Sequence, residues 1–149
     1  LSHSSAASDV YKRQQLKILT ETIDQLSKTE HPDLVIMVYE FELLKSYGFG
    51  LRIFECLNCS KSLKKSSNYF SYTNGGFYCE SCLGNTHSNE ELVKFSIEDQ
   101  IIFRSIERKK YDEILSLDIN DLSIKKLSEM LKKSISNVLG VQLKTSRFL

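Results

Sequence analysis

The side chains in this sequence best suited to chemistry are four thiols in two short pairs. Cys56 and Cys59 form one C-x-x-C, Cys79 and Cys82 form a second, and residues 60–78 lie between them. A tetrahedral zinc ion takes four soft ligands at about 2.3 Å, and two C-x-x-C turns brought together by a hairpin supply that set. The spacer has the right local chemistry. Tyr69, Phe70 and Tyr72 favour strand, Asn74-Gly75-Gly76 offers the positive φ values of a tight turn, and Phe77-Tyr78 lead back to the second pair. Ligand spacing and turn chemistry therefore predict one object, a zinc module at about residues 52–84.

Three rival chemistries fit less well. Two disulfides would suit a secreted chain, but no secretory signal pattern opens the sequence and it has no other cysteine. A thioredoxin-like redox site needs one pair in a βαβ setting, not two pairs around a hairpin. A catalytic zinc keeps an open position beside histidine or carboxylate ligands, whereas four thiolates close the sphere. His87 follows Cys82 closely and is a competing ligand in principle, but as a loop residue it reads as solvated. One structural Zn2+ per chain is the expectation.

The elements that must position this module are helical. In "LSHSSAASDVYKRQ", residues 1–14, Ser and Ala are frequent, no amphipathic period shows and no methionine begins the run. It reads as a disordered or non-native lead, of the kind that translated adaptor sequence produces. From residue 15, Leu16, Leu19, Ile23 and Leu26 step at helical spacing and predict an amphipathic helix. Pro32 and Asp33 open a second helix that Gly48 and Gly50 close. Its apolar residues, from Leu34 to Tyr47, cover most of the circumference, which predicts a central, buried rod.

Beyond the cysteines, residues 85–89 read as a polar loop, and Ser96 with Asp99 as the cap of a helix carrying Ile97, Ile101, Ile102 and Ile106. The mixed charges of residues 107–113 read as a solvated helix end. A last helix is expected from Leu122 to Leu139, stopped by Gly140. No strand signal stands outside the hairpin. The fold class is thus mainly α, a small helical bundle at residues 15–149 from which an inserted four-cysteine zinc ribbon projects.

Composition bounds the function. The 149 residues are 41% hydrophobic and 26% charged, ordinary for one globular domain, with a formal net charge of +1. The longest apolar run, Leu34 to Val38, is far short of the roughly 20 residues that cross a bilayer, so no membrane partner is expected. Nucleic-acid binding would have to rest on local clusters. Lys125, Lys126, Lys132, Lys133, Lys144 and Arg147 stand near the C-terminus against a single acid, Glu129. Lys61, Lys64 and Lys65 form a second cluster inside the zinc loop. Either is a solvated face or a phosphate-binding surface, where each neutralised charge adds affinity by counterion release. The aromatics Tyr69, Phe70, Tyr72, Phe77 and Tyr78 would either stack on bases or pack around the metal.

No enzyme is expected. The sequence contains no Gly-rich phosphate loop, serine elbow or motif-placed histidine base, and Glu90-Glu91 read as a solvated helix start.

Three runs together resemble the C-terminal region of RecO, a bacterial DNA repair and recombination mediator family. They are "YEFELLKSYGFGLRIFECLNC", "YFSYTNGGFYCESC" and the ending "LGVQLKTSRFL". The matching positions are Phe41-Glu42-Leu43-Leu44, Gly48, Gly50, the four cysteines, Leu139-Gly140, Leu143-Lys144 and Phe148-Leu149. The resemblance implies a cytoplasmic bacterial protein without catalysis that binds single- and double-stranded DNA and promotes annealing and recombinase loading. It implies RecR as a partner, together with the acidic, apolar-tipped C-terminal tail of single-stranded DNA-binding protein. Arg104, Arg108, Lys109 and Lys110 are candidates for contact with that tail; Lys61, Lys64, Lys65, Lys132, Lys133, Lys144 and Arg147 are candidates for DNA. The family's N-terminal OB-fold is not in this sequence. Two other classes stay open: a zinc-stapled structural or protein-interaction module without nucleic-acid binding, and a zinc-ribbon transcription or RNA factor.

Overall fold

The computed structural model describes residues 2–85, 90–109 and 111–146. Among the described residues, five helices and three strands occur in the order α1 (Ser2–Leu26), α2 (Pro32–Ser46), β1 (Asn68–Ser71), β2 (Gly76–Tyr78), β3 (Leu92–Phe95), α3 (Ile97–Arg108), α4 (Tyr111–Leu115) and α5 (Asp121–Ser146). A 3-10 helix at Glu80–Asn85 follows β2. The sheet is antiparallel with strand order β2-β1-β3.

Local chemistry sets several ends as expected. Pro32 stands in the first turn of α2, where a missing N–H costs nothing, and Gly48 beyond its end takes φ +81. Ser96 caps α3 with a full capping box: its hydroxyl accepts from the Asp99 N–H, and the Asp99 carboxylate accepts from the Ser96 N–H.

Four features differ from the sequence reading. Helix α1 begins at Ser2, well before residue 15, and Tyr11 in its first half packs edge-on against Tyr47 with ring centroids 5.6 Å apart. Its regular apolar stripe also faces outward: Leu16 is 64% and Ile23 59% exposed. The helix is attached instead through Gln15, which donates to Ser46 at 2.5 Å, and Thr22, whose hydroxyl lies 2.9 Å from that of Tyr111. Helix α5 runs through Gly140 to Ser146. A helical glycine costs only about 1 kcal/mol, so packing of Leu127, Met130, Leu131, Ile135 and Val138 on the core carries the helix past it. The third difference is β3, which pairs Phe95 with Asn68 and Leu92 with Ser71. Glu90 and Glu91 consequently lead into a strand, not a helix, and Glu90 accepts hydrogen bonds from Ser71 and Asn74.

The fourth difference concerns the whole architecture. The ribbon does not project from the bundle; it shares one core with it. Phe70, Phe77 and Phe95 have centroids 5.2–5.9 Å apart, and all three are at most 1% exposed. They join Phe103, Ile106 and Ile114 from α3 and α4, Met37, Val38 and Phe41 from α2, and Leu127, Met130 and Leu131 from α5. Burying an aromatic ring of this size contributes about 2 kcal/mol or more, with tilted ring pairs adding to it.

Asp99 ties the sheet end, α3 and α5 together. The side chain is 6% exposed and accepts from Ser123 Oγ at 2.9 Å and Lys126 Nζ at 2.7 Å. Burial pushes its carboxyl up, but the bonds from Lys126, Ser123 and Ser96 outweigh it and hold the pKa below the ordinary carboxylate value. A depressed folded pKa means this increment is present above the unfolded value, near 4, and is lost as pH falls through the folded one. Asp99→Ala should cost about 1–3 kcal/mol in chemical denaturation at neutral pH. Asp99→Asn should flatten that part of the acid-side loss of stability, measured by thermal unfolding between neutral and acid pH.

Candidate metal centre

The two C-x-x-C turns are assembled by backbone hydrogen bonds before any side chain is considered. After the first pair the chain reverses sharply: Ser60 takes φ 56, and its N–H donates to the Cys56 carbonyl at 3.0 Å. The N–H of Cys56 donates to the Lys61 carbonyl at 2.9 Å, and Glu55 bridges Ser62. The second turn is closed by Cys82 N–H to the Cys79 carbonyl at 2.9 Å. The hairpin then brings the turns together, because Leu57 N–H donates to Phe77 O at 2.8 Å and Phe77 N–H to Arg52 O at 3.1 Å. This approach is close. A Cβ on Gly76 would lie 2.9 Å from the Arg52 backbone oxygen and 2.9 Å from Leu57, so only glycine fits there.

Cys56, Cys59, Cys79 and Cys82 end with all four Sγ atoms within 4.8 Å of one another. A tetrahedral ion with sulfur at about 2.3 Å requires sulfurs about 3.8 Å apart. Cys59 and Cys79 Sγ are 3.9 Å apart, near that value and far beyond a disulfide bond, and all four thiols are free. The donor set therefore fits a closed tetrathiolate metal site. Cys56 is fully buried and Cys82 is 6% exposed, while Cys59 and Cys79 reach the surface.

The surroundings favour negative charge on sulfur. Burial opposes ionisation of Cys56, yet hydrogen bonds from the backbone of Cys59, Cys79 and Asn58 outweigh it and lower its pKa to about 6. The Cys79 N–H lies 3.4 Å from Cys56 Sγ, and Ser81 Oγ lies 3.2 Å from Cys79 Sγ. Cys82 behaves oppositely. A bond with Asn58 lowers its pKa, but its neighbouring cysteines and burial push it up to about 11. A thiolate is thus favoured at Cys56 and resisted at Cys82, and a divalent cation would remove that resistance.

The module is riveted to α3 by residues that were expected to bind partners. Arg104 Nε donates to Ile53 O at 3.0 Å and its Nη2 to Gln100 Oε1 at 3.3 Å. Arg108 stacks 4.3 Å above the Phe54 ring. Gln100, 2% exposed, donates to the carbonyls of Ser66, Phe95 and Ser96 and accepts from Asn68. Arg104 and Arg108 thereby fasten the cysteine-bearing loop to the helical body, a role that sequence spacing does not reveal. Lys109 faces Glu113 at 3.3 Å.

The two lysine clusters are placed differently. Lys61, Lys64 and Lys65 are exposed and make no ion pair among the described residues. On α5, Lys133 pairs with Glu91 at 2.5 Å and covers the Tyr72 ring, and Lys126 is held by Asp99. Lys132 is exposed beside Glu40, whose carboxyl is pushed up by burial and drawn down by that lysine. Lys110, Arg147, His87, Phe148-Leu149 and the side chains of Leu143 and Lys144 lie outside the described residues. Sequence reasoning missed Lys94 and the pairing that sets it against Tyr69, with Lys94 Nζ 5.9 Å from the ring centre. It also missed the groove between α2 and α5, lined by Leu43, Tyr47, Phe49, Ile135 and Leu139.

A family described as "Recombination protein O C terminal" matches residues 11–147. The chain belongs to the RecO C-terminal family. The chain is 29% identical over 123 residues to the DNA repair protein RecO of Dehalococcoides mccartyi, covering 83% of this chain and 47% of that protein. It is 27% identical over 124 residues to the RecO of Caldicellulosiruptor bescii, covering 82% and 43% respectively. Against the RecO of Roseiflexus sp. the figure is 32% over 72 residues, 48% of this chain and 25% of that one. The chain thus spans about half the length, or less, of these curated relatives. No solved structure matches.

Two outcomes follow for the metal centre. Cys56→Ser or Cys79→Ser should reduce bound metal from one equivalent to near none by elemental analysis of the purified chain, because three sulfurs no longer close the sphere. Gly76→Ala should destabilise the chain by about 1–3 kcal/mol in denaturant unfolding, since backbone on one side and a packed leucine on the other leave no room.

Proposed function

We propose that this chain is the zinc-bearing C-terminal part of a bacterial DNA repair and recombination mediator, acting in the cytoplasm by binding and not by catalysis. The observation that carries the reading is the family match over residues 11–147 together with a four-sulfur cage built into the same core as the helices. Zinc is the ion that four thiolates in a closed tetrahedral set suit best. Its role here is to fix the hairpin, with no position left open for a substrate.

The partners in this reading are single- and double-stranded DNA, RecR and the acidic C-terminal tail of single-stranded DNA-binding protein, and the outcome is strand annealing and recombinase loading. Exposed lysines without a nearby acid support contact with phosphates. An acidic tail with an apolar tip calls for an apolar groove edged by a cation. The α2–α5 groove has that character, with Lys132 beside Ile135 and Leu139 at its rim. Arg104 and Arg108 are committed to the zinc loop, so Lys132 takes their place in the proposal. No described helix is long and apolar enough to cross a membrane.

Binding that falls steeply with ionic strength is the expected behaviour. Fluorescence anisotropy with a labelled oligothymidylate, at several salt concentrations, should give log K falling linearly with log salt at a slope of about −0.7 per phosphate contact. Negligible, salt-insensitive binding by the metal-loaded chain would favour the purely structural module.

A further inference from the structure

The lysines that the sequence places near the C-terminus and those it places in the zinc loop look equivalent on paper, but the fold separates them. Lys126 and Lys133 each face a carboxylate, and Lys132 stands beside Glu40. Lys61, Lys64, Lys65 and Lys94 face none among the described residues, and every Asp and Glu of the chain lies within those residues. These four lie close together in the zinc module and its neighbouring strand, whereas among the described side chains of α5 Lys125 alone shares that lack of a carboxylate partner.

They are also held in place. The Lys61 carbonyl receives the Cys56 N–H at 2.9 Å, which pins that residue to the first metal turn. Asn68, fully buried at the start of β1, donates its side-chain amide to the carbonyls of Lys64 and Ser66 and to Gln100. That network fastens the Lys64-Lys65 loop next to Tyr69. Tyr69 pairs directly with Lys94 across β1 and β3, so both project from the same sheet face, opposite the face where Phe70 and Phe77 enter the core. Tyr69 is partly exposed. The result is a partly exposed tyrosine near cations that no carboxylate balances and whose backbone is anchored.

We propose that this strip, Lys64, Lys65, Tyr69 and Lys94 with Lys61 beside the metal turn, is the surface on which the chain holds single-stranded nucleic acid, with phosphates on the lysines and a base on Tyr69. Charge supplies the affinity and the ring supplies a sequence-tolerant platform. Ordering the lysine loop beforehand, through the metal turn and Asn68, removes an entropy cost from binding. The assignment rests on the nucleic-acid reading above and locates it.

The test uses the metal-loaded chain, labelled oligothymidylate and two charge-matched triple variants. K64E/K65E/K94E should lower affinity by roughly tenfold or more and reduce the salt slope by about 2, at unchanged metal content and circular dichroism. K12E/R13E/K125E changes the same number of charges at exposed helical positions that also lack an acid partner, and should retain most of the slope. Tyr69→Ala should weaken binding roughly tenfold while Tyr69→Phe does not. If the parent binds and both triple variants lose affinity equally, the strip is wrong and the nucleic-acid reading survives. Tighter binding of a duplex than of the single strand, or Tyr69→Ala binding like the parent, also overturns it. A parent chain that binds no oligonucleotide sinks both.

Discussion

Four sulfurs that must converge to within a few ångströms constrain everything around them. Cys56 and Cys59 follow a helix, Cys79 and Cys82 follow a hairpin, and only a tight return of the chain brings these pairs together. The return is close enough that Gly76 has no room for a Cβ. The same turn delivers Phe70 and Phe77 to the interior, where they meet Phe95 and the helices. A metal bound there would do more than staple a loop. It would help fix the strand register, and the register decides which aromatic side chains fill the core.

A second layer of polar contacts makes the union rigid. Gln100 and Asn68 satisfy loop carbonyls that would otherwise be buried without donors, and Arg104 supplies one more to Ile53. Such groups are costly to leave unmade, so the cysteine loop and α3 are tied more firmly than their apolar contacts alone would give. Asp99 with Lys126 and Ser123 repeats the device between α3 and α5. Surface residues carried on such a body are positioned by the fold.

What could be read from the sequence was what local chemistry decides. The proline that opens α2, the glycine that closes it, the Ser96–Asp99 box and the two cysteine turns all act within a few residues of themselves. The rest depends on contacts between distant segments. Strand β3 has four residues, too few to display a period, and exists because β1 offers it an edge. The stripe Leu16–Ile23 has a clear period, yet α1 docks through Gln15, Thr22 and Tyr11 on a neighbouring face. Lysines at similar spacing came apart only when their acidic neighbours were known. The cage was legible in full; the arginines that hold it were not.

If the metal cage and the helices form one cooperative unit, removing the ion must be felt far from the sulfurs. Chemical denaturation followed by far-ultraviolet circular dichroism, with the chain metal-loaded and then stripped by a chelator, measures this most directly. Stripping should lower the midpoint of the helical signal together with that of the hairpin, in a single shared transition. Helices that unfold at an unchanged midpoint after the ion is gone would contradict it.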